Sequence, residues 1–136
     1  MLTVEHIGIA VKNLEQSVGL FETLFNTPHY KVETVESEQV STAFFKIGTT
    51  KIELLQATNP DSTIAKFIDK KGEGIHHIAY EVQNIEEEIK RLTKAGFQII
   101  NPTPKQGADN KMVCFLHPKT TNGVLIELCQ TINTNP

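Results

Sequence analysis

Val4-Glu5-His6-Ile7-Gly8-Ile9-Ala10-Val11 returns 71 residues later inside Gly74-Ile75-His76-His77-Ile78-Ala79-Tyr80-Glu81-Val82. With His77 laid on His6, Ile78 falls on Ile7, Val82 on Val11, Asn84 on Asn13, Ile85 on Leu14 and Glu86 on Glu15. A second echo closes each half: Ile52-Glu53-Leu54-Leu55-Gln56 recurs as Ile126-Glu127-Leu128-Cys129-Gln130, at an offset of 74. The chain is two copies of one unit, each opening on a histidine and closing on a glutamate. Two histidines and two carboxylates placed by an internal repeat point to a divalent metal site.

Working outward from the repeat, residues 3–11 alternate in polarity and are rich in β-branched side chains, which predicts a strand with His6, Gly8 and Ala10 on one face. Asn13 then caps a helix whose buried stripe is Leu14, Val18, Phe21 and Leu24 or Phe25, and Asn26-Thr27-Pro28 ends it. Residues 30–36, 40–47 and 51–56 predict three more strands, the last placing Glu53 and Leu55 on one face. Asn59-Pro60-Asp61-Ser62 caps a connector helix over about 60–71, with Ile64, Phe67 and Ile68 inward. The second copy follows the same plan. A strand over 75–82 puts His77, Ala79 and Glu81 on one face. A helix capped by Asn84 carries Ile85, Ile89, Leu92 and Ala95 inward, with Glu86–Lys90 and Glu87–Arg91 pairs outward. Strands follow at 97–101, 111–117 and 124–130, separated by loops at 102–110 and 118–123. The tail from Thr131 is polar and expected to fray.

The expected class is α+β: a single domain over 1–136, with one βαβββ module over about 3–56, the connector, and a second module over about 74–130. Four strands with one apolar face are marginal alone. The two modules are therefore expected to form one bent eight-stranded sheet whose concave face receives His6, Glu53, His77 and Glu127.

The totals bound the function. At 136 residues and 15.2 kDa the chain fits one domain, and a net charge of −3 argues against bulk nucleic-acid binding. No apolar run approaches a membrane span, and the N-terminus lacks a basic-then-apolar signal segment, so the expectation is a cytoplasmic protein with no membrane partner. Cys114 and Cys129 lack metal or redox spacing and read as buried thiols.

Each of the four repeated residues has an ordinary reading as a hydrogen-bonded core or surface side chain. Three features outweigh it. The histidines sit among small residues on their own face. The glutamates sit inside apolar strands, where a carboxylate is costly to ionise without a cation beside it. The repeat relates the two pairs, so a pseudo-twofold axis could join them. Two imidazoles and two carboxylates suit one divalent ion, whether Co2+, Ni2+, Mn2+, Fe2+ or Zn2+, and leave positions open for water or substrate. By strand phase His76 turns away from this face, and His29 and His117 have no partner in the repeat.

At these residues the chain resembles the vicinal-oxygen-chelate superfamily and, within it, the methylmalonyl-CoA epimerases. The resemblance covers residues 3–130, and its most discriminating stretch is His117-Pro118-Lys119 leading to Gly123-Val124-Leu125-Ile126-Glu127-Leu128. It implies His6, Glu53, His77 and Glu127 as metal ligands. It also implies interconversion of (2R)- and (2S)-methylmalonyl-CoA by C2 proton abstraction through a metal-stabilised enolate. Glu127 is then the first choice of base and Glu53 the second. Some epimerases carry a further glutamate on the strand before the hairpin; here that position is Thr42, with Glu36 and Glu38 upstream. The acyl-CoA phosphates would call for cations, for which Lys105, Lys111 and Lys119 are the candidates. A homodimer is implied by the resemblance alone.

The alternative with the same residues is a glyoxalase I-type lactoylglutathione lyase. An extradiol dioxygenase would need no Glu53 ligand. A ligand-sequestering module would need none of the four.

Overall fold

The computed structural model describes residues 1–132. Among them the chain forms eight strands and three α-helices, in the tandem βαβββ order that the repeat predicts. The strands are β1 (Thr3–Ala10), β2 (Lys31–Val35), β3 (Val40–Ile47), β4 (Thr50–Ala57), β5 (Gly74–Glu81), β6 (Lys105–Gln106), β7 (Lys111–Leu116) and β8 (Ile126–Thr131). The helices are α1 (Leu14–Phe25), α2 (Thr63–Lys71) and α3 (Ile85–Lys94). The class is α+β. No described helix is long and apolar enough to cross a membrane.

Two compact units result among the described residues, one of His6–His76, the other of Met1–Glu5 with residues 77–132. In the first, β4 lies between antiparallel β3 and parallel β1, with β2 outside β3. The register sets Gly8 beside Glu53 and Ala10 beside Leu55. One sheet face carries Ile52, Leu54, Phe45 and Ala43, packed on Val18, Phe21 and Phe25 of α1. The other carries Ala10, Leu55 and Val40, covered by Ile64, Phe67 and Ile68 of α2. Asn13 and Ser62 cap the two helices, accepting from the backbone N–H of Gln16 and Ala65 at 3.0 and 3.1 Å. The connector is thus capped by Ser62 alone and starts at Thr63. α1 ends on Asn26 at φ 52°, a left-handed conformation asparagine tolerates. Phe25, not Leu24, completes the stripe of α1; Leu24 is 68% exposed.

The second unit repeats the plan: β8 lies between antiparallel β7 and parallel β5, with Ala79 beside Glu127 and Glu81 beside Cys129. Ile85, Ile89 and Leu92 of α3 are buried against Val82, Cys114, Leu116 and Leu128, as the 3.6-residue spacing predicts, while Ala95 lies outside. The acidic first turn and basic last turn of α3 complement its dipole. Its surface ion pair is Glu88–Arg91 at 2.8 Å, one turn apart at i,i+3, rather than the expected i,i+4 pairs. Thr131 ends β8; the remainder of the expected polar tail beyond Ile132 lies outside the described residues.

One strand departs from expectation. Residues 97–101 make only an isolated bridge, Ile99 to Leu116, with backbone bonds from Ile100 N–H to Phe115 O and from His117 N–H to Gln98 O. The edge strand is instead the two-residue β6, inside the expected loop. Pro102 and Pro104 lack the N–H a ladder needs, so pairing with β7 breaks off and resumes after them.

Candidate metal centre

In each parallel pair the histidine strand is laid on the glutamate strand so that both side chains rise from the same face. His6 Nδ1 lies 3.1 Å from Glu53 Oε2 in the first unit, and His77 Nε2 lies 3.2 Å from Glu127 Oε1 in the second. All four residues are buried. The residue beside each glutamate on the histidine strand is small, Gly8 or Ala79, which leaves the space above it to the histidine and the carboxylate.

On its other side each glutamate faces a phenylalanine: Phe44 is in register with Glu53 and Phe115 with Glu127. These phenylalanines stand 71 residues apart, at the same offset as the histidines. Sequence reasoning did not use that match, although the offset was available to find it. Phe115 also packs edge-on to His77, with ring centroids 5.9 Å apart. The aromatic walls exclude water and strengthen the electrostatics of whatever charge the carboxylates meet.

A buried carboxylate and imidazole pair is stable when a cation shares the load. Oxygen and imidazole nitrogen together fit a first-row divalent ion better than Mg2+ or Ca2+. The donor chemistry therefore fits a metal.

The surroundings sort the other candidates. Burial first, and then the charge of Glu127, push the Cys114 thiol up to about 12; burial, Glu127 and Glu5 raise Cys129 as well. Both are neutral packing thiols. His76 stacks edge-on to Phe67 at 4.9 Å between ring centroids, and His29 pairs with Glu22 at 2.9 Å. His117 Nδ1 accepts from the Lys119 backbone N–H and caps the short 3-10 turn Pro118–Thr120. Lys105 and Lys119 are exposed, as a phosphate contact requires. Lys111 is not: it is 7% exposed, with its Nζ 2.6 Å from Thr131 Oγ1, 3.6 Å from Glu81 and 3.8 Å from Glu5. Its strand phase turns it inward, so it neutralises those two carboxylates instead of meeting a phosphate. Glu36 and Glu38 occupy a 3-10 turn between β2 and β3, and Thr42 is buried in β3.

The chain as a whole is similar to known proteins. The family model of the glyoxalase/bleomycin resistance protein/dioxygenase superfamily matches residues 5–115. Members commonly bind a divalent metal, and each unit of this chain has a buried pair of histidine and glutamate side chains with the donor chemistry for one. The mitochondrial methylmalonyl-CoA epimerase of Dictyostelium discoideum is 41% identical over 92% of this chain and 76% of its own length. The ethylmalonyl-CoA/methylmalonyl-CoA epimerase of Cereibacter sphaeroides is 38% identical over 93% of this chain and 96% of its own. A variant of Streptomyces coelicolor methylmalonyl-CoA epimerase, solved with 2-nitronate-propionyl-CoA, superposes with a TM-score of 0.93 at 29% identity, covering 100% of this chain and 99% of that one. The chain belongs to the methylmalonyl-CoA epimerase family of this superfamily.

Proposed function

We propose that the two units form a single domain in which His6, Glu53, His77 and Glu127 jointly hold one divalent metal ion. The proposed reaction is the interconversion of (2R)- and (2S)-methylmalonyl-CoA. The observation that carries this reading is the pair of buried His–Glu contacts, at 3.1 and 3.2 Å, built alike in a chain of this family. Co2+ is the favoured ion, ahead of Ni2+, Mn2+ and Zn2+.

A divalent ion bound there supplies Lewis-acid stabilisation of the negative charge that builds on the thioester oxygen as the C2 proton leaves. The chain's own residues do the rest. Glu127, ionised, takes the C2 proton on one face, and Glu53, its counterpart in the other module, starts that turnover as the neutral acid and gives its proton to the opposite face, which inverts the centre; the reverse reaction exchanges the two roles. Phe44 and Phe115 keep water from that carbon. Lys105 and Lys119, exposed beside the second module's strand ends, meet the CoA phosphates.

The relatives named above support this activity, and the glyoxalase I-type alternative has no such support among them. The same reading makes the protein a cytoplasmic homodimer; its two free buried thiols suit a reducing compartment.

The test is solvent exchange. Metal-replete protein with methylmalonyl-CoA in D2O is expected to place deuterium at C2, and a chelator is expected to stop it. Absence of exchange by the metal-replete protein would end the epimerase reading.

A further inference from the structure

The parallel pairs that bear the histidines and glutamates have no hairpin to set their register. β1 reaches β4 only after α1, β2 and β3, and β5 reaches β8 only after α3, β6 and β7. A slip of one residue turns every side chain to the wrong face, and a slip of two keeps the face but moves a histidine about 6.6 Å along its glutamate strand. Something other than a turn must choose the register.

In both units the same device stands where the histidine strand ends. The backbone ladder runs one step past β1, with Val11 N–H donating to Leu55 O at 2.9 Å, and one step past β5, with Val82 N–H donating to Cys129 O at 2.9 Å. Beyond that step a side chain takes over. Gln56 Oε1 accepts from the Leu14 backbone N–H at 2.5 Å, and Gln130 Oε1 accepts from the Ile85 backbone N–H at 2.8 Å. Leu14 and Ile85 are the first residues of α1 and α3, so each glutamine satisfies a helix N–H that has no partner inside its own helix. The spacing is the same in both copies: each glutamine follows its glutamate by three residues, and each bonded N–H follows its histidine by eight. A register slipped by two residues would carry the glutamine carbonyl out of reach of that N–H.

From this we infer that Gln56 and Gln130 are positioning residues. Each locks its glutamate strand to the chain leaving its histidine strand, and so sets the His6–Glu53 and His77–Glu127 distances. Each acts through its strand, by the bond to a helix N–H, and the role assigned to it includes no contact with substrate or metal. The inference rests on the metal reading given above, and its test separates the two.

The experiment measures Co2+ affinity and the visible absorption spectrum of the Co2+-loaded full chain for four proteins: wild type, Gln130→Leu, Gln130→Glu and Asn84→Ala. Gln130→Leu removes the acceptor. Gln130→Glu keeps an acceptor oxygen at the same reach. Asn84 is the other cap of α3, accepting from the Glu87 backbone N–H at 3.1 Å within the helix's own first turn, so Asn84→Ala weakens the helix start by another route. The expected result is a roughly tenfold loss of Co2+ affinity and an altered spectrum for Gln130→Leu, at the lower end of what residues behind metal ligands contribute. Gln130→Glu is expected to restore both. Asn84→Ala is expected to lower the melting temperature with affinity unchanged. Gln56→Leu repeats the test in the first unit. Unchanged affinity in both leucine variants, equal losses in Gln130→Leu and Asn84→Ala, or failure of both leucine variants to fold would overturn the positioning role. A wild-type chain that binds no Co2+ would instead remove the metal reading, and this inference with it.

Discussion

The two units agree on one face and differ on the other. On the site face each has a buried histidine and glutamate, a small residue beside the glutamate and a phenylalanine across from it, and three residues after each glutamate a glutamine turns to the opposite face and bonds a helix start. On the helix face they part. α3 is a charged helix with three buried apolar residues, whereas α1 buries none completely and leaves Leu20 66% exposed. The outer edges differ too, since β2 has five residues and β6 two. Even the shared pair is not identical, because His6 offers Nδ1 to its glutamate and His77 offers Nε2. What the copies hold in common is the set of positions that controls a charge in a dry place. The packing that merely supports it has been solved twice, differently.

The comparison breaks first, and hardest, if the glutamates are not a functional pair. Glu127→Gln and Glu53→Gln should each lower kcat by roughly 10²–10⁴-fold, the usual contribution of a positioned acid or base. C2 exchange measured separately from each epimer should respond differently to the two variants. A variant at full rate would take that residue out of the chemistry.

Next in size is a feature the first unit lacks. Lys111→Met leaves Glu5 and Glu81 without their shared ammonium, and losing one partner of a buried ion pair costs about 3 kcal/mol or more. Chemical denaturation should read that loss. A variant as stable as wild type would mean that the pair holds nothing.

The helices sharpen the contrast further. Leu92→Ala in α3 should cost about 2–4 kcal/mol through the cavity it leaves, while Leu20→Ala in α1 should stay within about 0.5 kcal/mol. Equal costs would mean that the exposed stripe of α1 is covered in solution.

The smallest effect belongs to the two thiols, both in the second unit. Their folded-state pKa values are raised, so between about pH 8.5 and 9.5 the unfolded chain releases thiol protons that the folded chain keeps. Stability should therefore fall as pH rises through that window, by roughly 1 kcal/mol for each thiol. Cys114→Ala should flatten the slope, as read from denaturation midpoints against pH.

Much of this was legible in the residues. The histidine and glutamate strands, the phase that sends His77 inward and His76 outward, and the buried stripe of α3 all follow from the repeat and two simple periods. The misses have physical causes. Residues 97–101 look extended, but Pro102 and Pro104 deprive the following edge of the donors it needs, and only a bridge forms. Lys111 looked like a surface cation, because nothing local shows that Glu5, over a hundred residues away, comes to meet it. The glutamines were in plain view at the end of each echo. Their role depends on a side-chain bond to a helix start 42 or 45 residues distant, which no periodicity encodes. The outer pairs of α3 were misread because Glu88, rather than Glu87, reaches Arg91.

The central claim is that two copies make one centre. Isothermal titration of Co2+ into metal-free protein tests it most directly, on wild type and on His6→Ala and His77→Ala taken singly. The account predicts one ion per chain in wild type and loss of tight binding in both variants, because each removes a ligand from the same ion. Two ions per chain, or a variant that keeps tight binding through the other module's pair, would contradict it.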